Sequence, residues 1–328
     1  MKTIALEEHF TTASFLKATG AYGAAAPPRL QQMQAQLLDL GAGRIAAMDE
    51  AGIDLQVLSL TRASVEYEWG SLIGSLNAAS ASAVLHDVND ELAAAVSAHP
   101  GRFAGFAALN ARDPEGAAKE FERCVNVLGF KGALFSGTTD GEFLDRPKFI
   151  PIFEAANALR VPIYLHPAPP PKAVKDAYFL GLPGETGLVL SIAGWGWHAE
   201  AGLHSLRLIL SGLFDRFPEL QLINGHLGEG VPYALARSNH LLTAAARHLK
   251  LSVAEYFHRN FHVTTSGYFT LPPFQCAYDV VGIDRLMFAV DHPFSANKQG
   301  RDFLNSLKLS DDDKAKLTHR NAEALLKL

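Results

Sequence analysis

Ionisable side chains gather in this sequence where short apolar runs end. Glu7-Glu8-His9 follows Ala5-Leu6, His166 follows Tyr164-Leu165, His226 follows Asn224-Gly225, and Asp291-His292 follows Ala289-Val290. In an extended strand residues two apart share a side, so Glu7 and His9 converge while Glu8 faces away. Each such residue alone has an ordinary use, as a hydrogen-bonded histidine, an N-capping Asp291 or a Glu7 paired with an arginine. Together at the ends of several strands they would bury uncompensated charge at roughly several kcal/mol per ion, which one divalent cation offsets. The pattern predicts a metal site. His86, His99, His240, His248, His258 and His319 fall in helical or connecting segments and read as structural or surface residues.

The elements that must carry these groups are eight apolar runs, at 3–6, 55–60, 103–109, 129–135, 161–165, 220–224, 261–265 and 286–290. Most are continuously apolar rather than alternating, as expected of parallel strands buried on both faces. Helical patterns lie between them. Asp113-Pro114 opens one over 114–128 with Phe121, Cys124, Val125 and Leu128 on one face, and Gly129 stops it. Leu85, Val88, Leu92 and Val96 define another over 80–98, and Leu203, Leu206, Leu210 and Leu213 a third over 198–217. Ser310 and Asp313 open a last one. Strand followed by helix, eight times, predicts a (β/α)8 TIM barrel as a single domain over residues 1–328.

A doubly wound sheet would show the same alternation, but its dinucleotide motif is missing: Gly225-His226-Leu227-Gly228-Glu229-Gly230 leads to Tyr233 where a third glycine would stand. Neither a P-loop nor a G-x-S-x-G elbow occurs. Residues 11–28 and 166–198 fall outside the repeat and are expected as long rim loops after strands one and five.

With 48% hydrophobic and 19% charged residues the chain is not a disordered one. A net charge of -5 without a basic block argues against nucleic acid. Two distant cysteines, Cys124 and Cys276, give no disulfide framework, and no run reaches 18 apolar residues, so a soluble cytoplasmic protein without a membrane partner is expected.

The sequence resembles the amidohydrolase superfamily, and within it the metal-dependent nonoxidative hydroxybenzoate decarboxylases. The resemblance runs the whole chain, through Ala5-Leu6-Glu7-Glu8-His9-Phe10, Met48-Asp49-Glu50-Ala51-Gly52-Ile53-Asp54, Gly129-Phe130-Lys131-Gly132-Ala133-Leu134, Tyr164-Leu165-His166-Pro167, Ser211-Gly212-Leu213-Phe214-Asp215, Gly225 to Tyr233, Thr264-Thr265-Ser266-Gly267 and Asp291-His292-Pro293-Phe294. Glu7-x-His9, where many members carry His-x-His, is characteristic of the decarboxylases. The resemblance implies Glu7, His9, His166 and Asp291 as metal ligands, His226 and Glu229 as a pair beside the substrate, and Arg237 against an anionic or phenolic oxygen. Phe294, Ser136 and His292 are expected in the pocket. His292 stands where a Trp is common, and Ser136 where an Asn is common.

Oxygen and nitrogen donors without sulfur suit Zn or Mn. The implied reaction is loss of CO2 from a small aromatic acid after Asp291 protonates the ring, with a homo-oligomer, dimer or tetramer, expected. The alternative is metal-dependent hydrolysis of an ester, lactone or amide. Glu7 puts a second negative charge on the ion, which makes bound water less acidic and favours decarboxylation.

Overall fold

The computed structural model describes residues 1–20, 28–61 and 76–328, without the side chains of 28–30. Eight parallel strands follow one another around a circle: β1 (Ile4–Phe10), β2 (Leu55–Leu60), β3 (Phe103–Gly105, continued as Ala107–Ala108), β4 (Ala133–Ser136), β5 (Ile163–His166), β6 (Leu222–Asn224), β7 (Phe261–Thr264) and β8 (Leu286–Met287). Each pairs with the next, and Phe106 N–H donates to Leu58 O across the interruption in β3. Leu6 N–H to Phe288 O (3.2 Å), Asp291 N–H to Glu7 O (2.9 Å) and His9 N–H to His292 O (2.7 Å) join the last strand to the first, so the barrel is closed.

Alternation divides the core. Ile4, Leu6, Leu55, Val57, Leu134, Tyr164, Ile223, Met287 and Ala289 pack together inside the barrel, with Ala322 and Leu326 of the final helix joining them. Their neighbours Ala5, Leu58, Leu165, Leu222, Phe288 and Val290 belong to the larger cluster between strands and helices. β1 breaks this rhythm. Ala5 pairs with Gln56 but Glu8 with Leu58, so one extra residue is inserted in β1. Strict alternation from Leu6 would send Glu8 inward. The bulge resets the phase, turning Glu7 and His9 in and Glu8 out.

The helices begin where the capping residues stand. Asp113 accepts from Gly116 N–H before Pro114–Asn126, Asn77 from Ser80 N–H before Ala78–Ala98, and Ser310 from Asp313 N–H before Asp311–Ala315. Three expectations are corrected. The helix expected over 198–217 is Gly196–Leu210, then Gly212 in the left-handed region and a short turn Leu213–Arg216. Its buried face is Ala201, His204, Ser205, Leu208 and Ile209, and Leu203 is 46% exposed, because small and polar residues there allow close approach to the strands. The segment 166–198 is not plain loop but carries helices Lys172–Tyr178 and Thr186–Ser191, and the first excursion carries Ala13–Ala18; residues 21–27 of that excursion lie outside the described residues.

Candidate active site

Glu7, His9, His166 and Asp291 come together at the carboxyl ends of β1, β5 and β8, with one donor atom from each inside a group no wider than 4.8 Å. Donors on one ion at bond lengths of about 2.1 Å lie roughly 3–4.4 Å apart, so the cluster has the right scale. His166 Nδ1 donates to Pro167 O at 2.7 Å, which leaves its Nε2 lone pair aimed at Glu7 Oε1, 3.2 Å away. His9 Nε2 stands 3.0 Å from Asp291 Oδ1 and 4.0 Å from Glu7 Oε1. Glu7 Oε1, His9 Nε2 and Asp291 Oδ1 are nonetheless buried without an aligned hydrogen-bond partner among the described residues. Lone pairs turned toward one another and away from water are what a cation requires, and the four residues fit a divalent metal ion.

The far oxygen of Glu7 is held. Tyr164 and Ser266 hydroxyls both donate to Oε2, and Thr264 Oγ1 lies 2.7 Å from each hydroxyl. Gly225 passes so close that a Cβ there would sit 2.5 Å from Glu7 Oε2, which is why no larger residue fits.

Behind the metal cluster stands a second one. Glu229 Oε1 accepts from His226 Nδ1 at 2.8 Å, and Oε2 accepts from His198 Nδ1 at 2.6 Å. Trp197 Nε1–H donates to His198 Nε2 at 3.0 Å, so the proton of His198 resides on Nδ1. His226 therefore turns Nε2 outward, 3.6 Å from Asp291 Oδ2 and 3.9 Å from Glu7 Oε1. The Tyr268 ring packs edge-on against both imidazoles. His226, Leu227 and Glu229 have positive φ in a tight loop before the helix Val231–Ala245.

Charge at the site is unevenly distributed. Burial opposes ionisation of Glu7, yet His226, His166 and His9 outweigh it and hold the carboxyl well below its ordinary range. Burial likewise opposes the charge on His226, but Glu229, Glu7 and Asp291 keep its imidazole protonated to well above the usual histidine range. Asp291 is held low against burial by His226 and His9.

These groups open into a cavity of about 1050 Å³ lined by His9, His166, His198, His226, Asp291 and Phe294, with Ser136, Trp197 and Tyr268 in its wall. Arg112, Lys172 and Lys175 add cationic groups to the lining. Glu7 and Glu229 lie beneath, behind the residues they orient. Two expected pocket residues are elsewhere. Arg237 is exposed on Val231–Ala245 and does not line the cavity, because that helix buries Val231, Pro232 and Leu235, and Arg237, two residues past Leu235, lies on the opposite side. His292 also misses the lining. Past the positive φ of Asp291 it turns away from the cavity and is 5% exposed outside the barrel wall, where burial presses its imidazole down to about 3. Sequence reasoning missed His198, Trp197 and Tyr164. Only Tyr164, two residues before His166 on the same face of β5, left a signal in strand periodicity.

Comparison with known proteins agrees with this geometry. Residues 25–328 match the amidohydrolase family model. The chain is 36% identical over 338 residues to a γ-resorcylate decarboxylase of Polaromonas sp. JS666, covering 99% of this chain and 98% of that protein. A dihydroxybenzoic acid decarboxylase of the same organism, solved with manganese and the inhibitor 2-nitroresorcinol, superposes with a TM-score of 0.88 at 35% identity, covering 100% of this chain and 97% of the other. A 2,6-dihydroxybenzoate decarboxylase complexed with 2,6-dihydroxybenzoate gives a TM-score of 0.86 at 33% identity, covering 100% and 99%.

Proposed function

Because the chain belongs to the amidohydrolase family, we propose that its site performs the nonoxidative decarboxylation of a small hydroxybenzoate, 2,6-dihydroxybenzoate being the first candidate. It is a carboxy-lyase that depends on a divalent metal ion. End-to-end likeness to decarboxylases carries this reading. The donor cluster facing a cavity wide enough for an aromatic acid supports it.

Glu7, His9, His166 and Asp291 would hold the ion, Mn before Zn in view of the similar manganese structure. When bound, the ion supplies Lewis-acid polarisation of the substrate carboxylate and its ortho oxygen. The chain's own residues supply the proton. His226 stores it on Nε2, and Asp291, 3.6 Å away, takes it and delivers it to the ring carbon that bears the carboxylate. The carbon–carbon bond then breaks, its electron pair restores the aromatic ring, and CO2 leaves. Asp291 ends as a carboxylate, and solvent restores the proton to His226. Glu229 fixes the His226 ring, while Phe294 and Ser136 shape the wall on which the substrate lies. Arg237 has no part in this reading of the single chain.

Residues 1–328 form one barrel domain in this proposal, working in the cytoplasm as a homo-oligomer. Two free cysteines suit a reducing compartment, and Tyr178, Leu180, Trp195 and Tyr233, each more than 60% exposed, are suited to cover by a second copy. No helix among the described residues is long and apolar enough to cross a membrane.

The test uses reversibility. Incubated with manganese, resorcinol and labelled bicarbonate, the protein should build label into the carboxylate of 2,6-dihydroxybenzoate, and in deuterated water it should exchange the ring hydrogen of resorcinol. A protein that does neither across a series of ortho-hydroxybenzoates, yet cleaves an ester or lactone, would be a hydrolase.

A further inference from the structure

The backbone around Asp291 is irregular in a way that main-chain pairing cannot satisfy. An extended strand sends successive N–H groups to opposite sides, but those of Val290, Asp291 and His292 all reach β1, and Asp291 has φ of +70°. The central N–H finds the carbonyl of Glu7 at 2.9 Å. Glu8 takes the other two. Its Oε1 accepts from Val290 N–H at 2.8 Å and its Oε2 from His292 N–H at 3.1 Å, so one carboxylate stands in for two missing strand carbonyls.

Glu8 is itself held from behind. Gln56 Nε2 donates to its Oε2 at 3.3 Å, Arg44 donates to Gln56 Oε1 at 3.2 Å, and the same guanidinium donates to His9 O at 2.6 Å. Glu8, Gln56 and Arg44 are at most 2% exposed and lie outside the barrel wall, away from the cavity.

We propose that Glu8 is a positioning residue for the reaction: with Gln56 and Arg44 it forms a buried brace that grips both peptide groups flanking Asp291 and the carbonyl of His9, setting where two ligand side chains point. Satisfying two buried N–H groups calls for an acceptor at this point, but stability gives no reason to back it with a buried glutamine and guanidinium, since buried charges cost desolvation. Geometry does. A displacement of about 1 Å at a reacting group can cost on the order of a hundredfold in rate. This inference rests on the proposed role of Asp291, but its structural arm does not need turnover.

The experiment compares wild type with Glu8→Gln and Gln56→Met, each loaded with manganese and assayed on 2,6-dihydroxybenzoate, with amide hydrogen exchange read in parallel. Glu8→Gln keeps size but replaces one acceptor with an NH2 group. Expected are faster exchange confined to residues 288–294, full manganese occupancy, kcat down about tenfold or more and KM within about threefold. Gln56→Met, which leaves both peptide bonds to Glu8 in place, should lose only about three- to tenfold in kcat. Unchanged exchange at 288–294 in folded Glu8→Gln would overturn the brace even in a protein that proved not to be a decarboxylase. Normal kcat in both variants, in a protein that does decarboxylate, would overturn the positioning role. Should Glu8→Gln not fold, Gln56→Met decides by the same two readings.

Discussion

Asp291 Oδ2 and His226 Nε2 face one another at 3.6 Å across the barrel mouth, one on the segment that closes the barrel against β1, the other from the loop after β6. The two residues are 65 positions apart in the sequence, and neither touches the other's backbone hydrogen-bond network. Placed so, they can share one proton between a carboxylate and an imidazole. Asp291→Asn keeps the size and removes the carrier, so kcat should fall by about 10²–10⁴ with the protein still folded. Retention of more than about a tenth of wild-type kcat with metal bound would take the acid role from Asp291.

His9→Ala and His166→Ala should each lose bound manganese while circular dichroism stays that of the wild type. Both side chains sit at the mouth, above the apolar interior layers that hold the strands together. Metal content after dialysis is the measurement; full occupancy in both variants would strike them from the ligand set.

Trp197→Phe separates wall from tether. Phenylalanine keeps an aromatic face on the cavity but loses the N–H that fixes the His198 tautomer, so Glu229 holds His226 less firmly. The expected result is a kcat about three- to tenfold lower with KM within about twofold. A raised KM at unchanged kcat would make Trp197 a binding residue only.

Stability should decline on the acid side before the carboxylates titrate. His204 is buried with Nε2 accepting from Leu144 N–H, and burial presses its imidazole down to about 4 from the usual 6.5. Between those values the unfolded chain binds a proton that the folded chain refuses, so stability is whole above pH 6.5 and falls as pH drops toward 4. His204→Gln should lose less than wild type between pH 7.5 and 4.5 in urea unfolding, the difference being on the order of 2–3 kcal/mol. Parallel losses would show that His204 does not carry the slope.

The sequence alone determined the strand order and the capped helices, because each follows from local chemistry, apolar runs bounded by polar ends and Asp113 and Ser310 at helix starts; charges too costly to bury singly pointed to a metal, and the resemblance named the four residues that the structure brings together. The sequence also separated Glu7 and His9 from Glu8, although by a simple alternation that β1 does not follow. What turns those side chains inward is an inserted residue between Ala5 and Glu8, and a bulge exists only against the register of β2. The remaining decisions belong to the tertiary structure for the same reason. His198 reaches Glu229 across 31 residues, Tyr164 reaches Glu7 across 157, and Glu8 grips the peptides around Asp291 across more than 280. Arg237 and His292 went the other way, Arg237 to the side of its helix opposite the buried Leu235 and His292 to the outer wall past the positive φ of Asp291. A hydrogen bond leaves no mark in the spacing of two residues unless one element carries both, so partners brought together by barrel closure appear only once the barrel is closed.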